Sequence, residues 1–394
     1  MGIRGLKERR EQPDMAMLLC AGCGRSFPAS EPRWRCNCGG HLRLKTSGMF
    51  QLAEASKRPP AIWRYSEALG LEHPHSAITL GEVSTPLISG EWGDLPVHFK
   101  LDFLCPTGSF KDRGSAVMVS KLREWGITEI VEDSSGNAGA SVAAYAAAGG
   151  IRANLYIPAS ASAGKAAQIG IYGAKLVKVA GTREDTTLAA LKAAERSFYA
   201  SHNWSPFFVA GLKTLAYEIS EQLGWRAPDW VIAPAGGGGL ILGLHCGFQD
   251  LLQAGMIRNM PRLVAVQACQ CAPIYHAWHA NLEDVPRVEQ KETVAEGISI
   301  ARPVKGKDVL QAIRSTSGLV RIVSDEEIWK ALAALGRKGI YVEPTAAAAP
   351  AALDGLRRDG IVGPNDILVL ELTGSGLKAT DKIAEHCRSI SSPG

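Results

Sequence analysis

Trp230-Val231-Ile232-Ala233-Pro234-Ala235-Gly236-Gly237-Gly238-Gly239 is the stretch that decides the fold. Trp230–Ala233 is a short apolar run that suits a buried strand, and the apolar residues after Gly239 continue as a helix to about Gln253. Four consecutive glycines are entropically unfavourable unless the backbone must approach something closely. A strand that ends in such a turn and enters a helix places free N–H groups and the helix dipole at the strand's C-terminal end, where α/β proteins hold anions. The run is neither Gly-x-x-x-x-Gly-Lys-Ser/Thr nor Gly-x-Gly-x-x-Gly; its backbone is able to wrap a phosphate, and a plain flexible strand–helix turn is the alternative.

Outward from this point the same alternation recurs. Upstream, strands are expected at Pro96–Leu101, Ile127–Val131, Ala153–Ile157 and Lys175–Val179. Helices are expected at Asp112–Trp125, Asn137–Ala148, Ala163–Tyr172 and Glu184–Ala200. Downstream, Leu263–Gln267, Val320–Val323 and Asp366–Leu372 read as strands. Ser324-Asp325-Glu326-Glu327 has the form of a capping box opening a helix to Lys338. Short apolar strands alternating with helices argue an α/β fold with parallel sheets. A length of 394 residues implies about two domains plus appendages.

Two further clusters lie where sites of such folds belong, just beyond strand ends. Pro106-Thr107-Gly108-Ser109-Phe110-Lys111-Asp112-Arg113-Gly114 puts Lys111 at the entry to a helix. Partial desolvation there favours its neutral amine and Schiff-base chemistry, whereas a solvated lysine near a helix start is the plain alternative. Ser134-Ser135-Gly136-Asn137-Ala138-Gly139 offers hydroxyls, an amide and backbone N–H groups at a helix start, suited to a carboxylate or to ordinary capping.

The N-terminal head differs in character. Cys20-Ala21-Gly22-Cys23 and Cys36-Asn37-Cys38-Gly39-Gly40 form two close cysteine pairs on glycine-bearing turns. Four thiolates complete a tetrahedral zinc shell and leave no open position, so the expected role is structural. The single residue between Cys36 and Cys38 departs from a standard ribbon, and a reduced ribbon that has lost its metal is the alternative. Residues 1–45 carry a charge of +5 and the rest −1, which reads as a solvated head without a nucleic-acid partner. The other five cysteines, Cys105, Cys246, Cys269, Cys271 and Cys387, are scattered, unlike a secreted disulfide framework, and a cytoplasmic location is expected. No apolar run is long enough for a membrane span, and the start lacks a secretory signal's apolar region. Lys57-Arg58-Pro59-Pro60 reads as a linker or loose loop within 46–77.

Taken together, Ser109-Phe110-Lys111-Asp112-Arg113, the run Ser134–Gly139 and Gly374-Ser375-Gly376 after a strand resemble the fold type II pyridoxal-phosphate (PLP) enzymes. Asn-Pro-Thr-Gly-Ser-Phe-Lys-Asp-Arg-Gly is characteristic of the threonine synthases among them, and Cys105 stands here in place of the Asn. A cysteine-rich head is typical of one branch of that family. The resemblance runs from Cys20 to about Lys382.

It implies a site between two parallel-sheet domains, with a zinc-ribbon-like head at 1–46. The large PLP domain would be 47–110 with 205–394, and the small domain 111–204 would carry the Ser/Asn loop. Lys111 would hold the cofactor and move protons at the substrate Cα. Asn137 would bond the cofactor's ring oxygen, Gly236–Gly239 its phosphate and Thr373 its pyridine nitrogen. Ser134 and Ser135 would hold the substrate carboxylate. Lys100, Arg113 and Lys165 are the candidates for a substrate phosphate. The implied reaction converts O-phosphohomoserine and water to threonine and phosphate in a cytoplasmic homodimer. Three departures leave the substrate open: four glycines in the phosphate loop, as in amino-acid dehydratases; Ser375 where a His is usual; and Gly81-Glu82-Val83-Ser84-Thr85-Pro86-Leu87 where Gly-Glu-Gly-x-Thr-Pro-Leu is usual. The alternatives are an ammonia-lyase or β-replacing synthase on a hydroxy-, diamino- or phospho-amino acid, and a non-catalytic PLP-binding scaffold. No cofactor motif lies in residues 1–45, so removing them is expected to leave cofactor binding intact.

Overall fold

The structure, a computed structural model, describes residues 16–46, 52–161 and 163–391. Strands β1 (Met17–Cys20), β2 (Ser26–Pro28) and β3 (Leu42–Lys45) form an antiparallel sheet in the order β2-β1-β3. Strands β4 (Leu87–Trp92) and β5 (Leu95–Lys100) are an antiparallel hairpin turning at Gly93, whose φ is 64°. Next come β6 (Glu129–Glu132), β7 (Arg152–Pro158), β8 (Lys175–Val179) and β9 (Phe198–Tyr199), a parallel sheet in the order β8-β7-β6-β9. The chain then adds β10 (Trp230–Pro234), β11 (Arg262–Ala268), β12 (Leu319–Val323) and β13 (Leu368–Glu371). These join the hairpin in a six-stranded sheet, β12-β11-β10-β13-β5-β4, parallel except for the edge strand β4.

Strand β10 is buried along its whole length because helices cover both faces of its sheet. Trp230 and Ile232 pack with Ala346–Ala349, Leu353 and Leu356 of the helix Pro344–Arg358. Val231 and Ala233 face the other way, toward the helices Pro206–Gln222, Gly239–Gln253 and Gly306–Ser315. A third core joins the helices Lys111–Glu124 and Asn137–Ala148 to β6 and β7. Leu18, Cys20, Phe27, Cys36 and Leu42 of the head are buried in that same core. The head is thus seated in the body of the fold.

Strand ends agree with the sequence reading to within one or two residues, the ordinary uncertainty of element boundaries. Larger differences have physical causes. The helix expected to reach Ala200 stops at Ala193, and Phe198–Tyr199 pair as β9 instead. Tyr199 is drawn inward, its ring 5.0 Å from that of Trp34 and its hydroxyl donating to Asp133. The segment around Arg58 is not a loose linker. Arg58 pairs with Glu67, and buried Tyr65 donates to Glu221 at 2.6 Å. No helix among the described residues is long and apolar enough to cross a membrane.

Candidate active site

Three loops converge on one cavity of about 850 Å³. They are the entry to the helix Lys111–Glu124, the loop after β6 and the glycine run after β10, with Thr373 closing the wall after β13.

Lys111 is the first residue of its helix. Phe110 N–H donates to the Thr373 carbonyl at 2.9 Å, and Ser109 bridges to Gly374. Asp112 ties the loop down by accepting from Thr107 N–H, Thr107 Oγ1 and Ser141 Oγ, each at 2.6 Å. The Lys111 Nζ then lies 4.7 Å from the Phe110 ring centroid and 5.8 Å from that of Phe208. Desolvation in this setting pulls the amine down to about 8, and the opposing fields of Glu132 and Glu343 only partly offset it.

Ser134, Ser135, Gly136 and Asn137 lead from β6 into the helix Asn137–Ala148. The turn folds back so tightly that a Cβ on Gly139 would stand 1.9 Å from the Ser134 carbonyl oxygen. Asn137 Nδ2 donates to Glu343 Oε1 at 2.8 Å. Opposite lies the glycine run. A Cβ at Gly236 would approach the Ile298 backbone to 2.9 Å, one at Gly237 the Asn203 amide oxygen to 2.6 Å, and one at Gly238 Val309 to 2.2 Å. Gly238 also has φ 80°, and it caps the helix Gly239–Gln253 without a side-chain hydrogen bond. The helix N-terminus therefore meets the cavity with bare backbone. Thr373 Oγ1 is buried with no hydrogen-bond partner among the described residues.

Not every residue expected at the site is there. Lys100 is fully buried elsewhere, donating to Glu218 at 2.8 Å, the Thr85 carbonyl at 2.7 Å and Gln222 at 3.0 Å. Arg113 is equally buried, forked between Asp102 and Glu218. Neither borders the cavity, because each cation neutralises buried carboxylates behind Lys111. The helix Ala163–Ile171 holds Lys165, whose side chain lies outside the described residues. The cavity instead brings in Arg183, His202, Glu343, Lys378 and Lys382. Arg183, His202 and Glu343 come singly from distant stretches, while Lys378 and Lys382 follow closely on the Thr373–Gly376 run without belonging to its motif. Only Glu343 has a faint signal, as the residue before Pro344 at a helix start.

Away from the cavity, Cys20, Cys23, Cys36 and Cys38 place their sulfurs within 4.8 Å of one another. The Cys20–Cys38 and Cys23–Cys36 pairs are 3.5 and 3.7 Å apart. A zinc tetrahedron with Zn–S bonds of about 2.3 Å has edges of about 3.8 Å, so the cluster is compatible with that ion.

A lysine with a depressed amine and a bare glycine turn at a helix N-terminus share this one cavity, and residues 78–374 match the family described as pyridoxal-phosphate dependent enzyme. The chain belongs to that family. Curated relatives that it matches along most of its length are threonine synthases. That of Methanocaldococcus jannaschii is 35% identical over 375 residues, 92% of this chain and 93% of that protein. That of Methanosarcina acetivorans is 32% identical over 385 residues, 95% of each. Among solved structures, a threonine deaminase of T.th. is 25% identical with a TM-score of 0.63, covering 74% of this chain and 92% of that one. The residues present fit the family's cofactor. The unpartnered Thr373 hydroxyl suits a ring heteroatom, the glycine run leaves N–H groups for a phosphate, and Lys111 has the depressed amine that Schiff-base chemistry needs.

Proposed function

We propose that the protein is a threonine synthase, converting O-phosphohomoserine and water to threonine and phosphate. One observation carries the reading: the lysine, serine/asparagine, glycine and threonine groups share one cavity, in a chain that matches threonine synthases over more than nine-tenths of both lengths. When bound, PLP supplies an electron sink that makes the substrate's Cα and Cβ protons removable. Lys111 Nζ takes the Cα proton and returns one to the same carbon at the end. Ser134, Ser135 and the start of the helix Asn137–Ala148 hold the substrate carboxylate. Asn137, fixed by Glu343, would bond the cofactor's ring oxygen. Gly236–Gly239 would hold its phosphate and Thr373 its ring nitrogen, where a hydroxyl would not enforce protonation as a carboxylate would. Phe110 and Phe208 keep the Lys111 amine dry and so partly neutral.

Zinc on Cys20, Cys23, Cys36 and Cys38 is proposed as a structural ion, supported by the sulfur spacing. A cytoplasmic homodimer is proposed with it, and light scattering of the purified protein checks the subunit number. The four-glycine loop favours a second reading, an ammonia-lyase. Incubation of the purified protein with O-phosphohomoserine, O-phosphoserine, threonine and serine separates the two. Threonine and phosphate release is expected from the first substrate only. Ammonia from serine or threonine, with no threonine formed, would overturn the reading.

A further inference from the structure

An amino-acid substrate is distinguished by the group farthest from its reacting carbon, so the cationic wall of the cavity decides which one is accepted. Besides Lys111, the side chains of Arg183, Lys378 and Lys382 border the cavity. The Lys378 amine is bonded to the Thr107 carbonyl at 2.8 Å and to Gln168 Oε1 at 2.6 Å. Lys382 is paired with Glu296. Arg183 differs. Its Nη2 lies 3.1 Å from Asp133 Oδ2, while its Nη1 is buried with no hydrogen-bond partner among the described residues.

Asp133 is itself immobilised, accepting from Tyr199 at 2.9 Å and Thr187 at 2.7 Å. Arg183 also opens the helix Arg183–Ala193, which a complete capping box anchors. The guanidinium is thus oriented from its backbone and from one edge, with donor capacity left over. A buried donor in that state is destabilising until an acceptor arrives. Beside it on the same wall, His202 is held by Glu132 at 2.7 Å. Burial and the fields of Lys111, Arg183 and Lys305 keep that imidazole neutral, so His202 does not compete with Arg183 as a cation.

Resting on the reading of the cavity as the site of PLP-dependent amino-acid chemistry, we infer that Arg183 is the specificity residue that receives the substrate's distal phosphate. A guanidinium suits the role, because its planar fork matches phosphate oxygens as no single ammonium does.

The test is a titration of the holoenzyme, read from the bound cofactor's absorbance, with O-phospho-L-homoserine and with L-homoserine. The wild type should bind the phosphorylated compound about tenfold or more tightly, as a charge-assisted pair implies. Arg183→Gln should erase that preference while leaving L-homoserine binding unchanged. Inorganic phosphate should compete with the phosphorylated compound in the wild type and lose that competition by about tenfold in Arg183→Gln. A preference retained in Arg183→Gln, or absent from the wild type, overturns the assignment. Should Arg183→Gln fail to hold cofactor, Arg183→Lys decides: weaker phosphate competition sustains the role, and unchanged competition overturns it. A preference that depends on Arg183 in a protein that forms no threonine would sink the reaction and leave the anion site standing.

Discussion

Lys111 is ordinary by type and unusual by setting. A solvated lysine is half-neutral only at 10.5, whereas desolvation brings this one to about 8. The neutral amine is the nucleophile, so lowering its midpoint raises the reactive fraction at any pH below it. Cofactor-free protein mixed with PLP should therefore gain its absorbance band at a rate that rises with pH and levels off above about 8 to 9. A rate still climbing beyond pH 10 would show a solvent-like amine. Lys111→Ala should lose turnover and the covalent band while keeping its fold. Thr373 allows a complementary measurement. Its hydroxyl is buried and unpartnered, so Thr373→Val removes a desolvated group without changing shape. The cofactor-free variant should melt no lower than the parent. Its PLP dissociation constant should rise roughly two- to tenfold, the value of one neutral hydrogen bond. An unchanged constant would separate Thr373 from the cofactor.

At the level of elements, the glycine run and the charged cluster behind Lys111 make different demands. In Gly238→Ala the new Cβ meets Val309 at 2.2 Å, and the residue keeps a φ of 80° that costs a non-glycine about 1 to 2 kcal/mol. Cofactor affinity should fall by about tenfold or more, and adding Val309→Ala should restore the part due to collision but not the part due to φ. The cluster is a matter of stability. Arg113→Met would leave fully buried Asp102 and Glu218 short of a cation, a loss of about 3 to 5 kcal/mol that lowers the denaturant midpoint. The same charges read from sequence alone suggest turnover defects with an intact spectrum. The difference shows what a single sequence hides. Lys111, Asn137, Thr373 and the glycines stand in short runs beyond strand ends, so their chemistry is legible locally. Arg113 lies 105 residues from Glu218, and Asn137 lies 206 residues from Glu343, so neither pairing leaves a local trace. The helix Pro344–Arg358 escapes for another reason: it contains Pro350, and its buried residues leave no clear apolar stripe to read.

For the whole molecule, the decisive question is whether the cysteine head is an appendage. The sequence suggests so, because it carries no cofactor motif. In the structure Leu18, Phe27 and Leu42 are buried in the core shared with Leu122, Tyr145 and Phe207, each contributing about 1.5 to 3 kcal/mol of burial. Trp125 Nε1 also donates to the Ala29 carbonyl at 3.1 Å. Strand β3 reaches farther, since His41 lies 2.9 Å and Arg43 Nε 2.7 Å from Asp308. Burial alone would raise the Asp308 pKa, but hydrogen bonds from His41 and Arg43 hold it well below the usual carboxylate range. A depressed carboxylate contributes stability that is fully present above its unfolded pKa near 3.8 and is lost as pH falls through the lower folded value. Asp308→Asn should therefore be less stable at neutral pH and lose less than the parent on acidification below about pH 4. The helix Gly306–Ser315 that carries Asp308 also carries Val309, the side chain set against Gly238. The head thus braces, through one helix, the turn proposed to hold the cofactor phosphate. Deleting residues 1–46 should lower the melting temperature and weaken PLP binding together. Chelating the zinc proposed for the four sulfurs should do the same to a smaller degree, since the strands remain but their turns are released. Melting curves and cofactor titrations on the parent, the truncation and the chelated protein check this. A truncation that melts lower but binds PLP as tightly as the parent would confine the head to stability and break the proposed link through Val309.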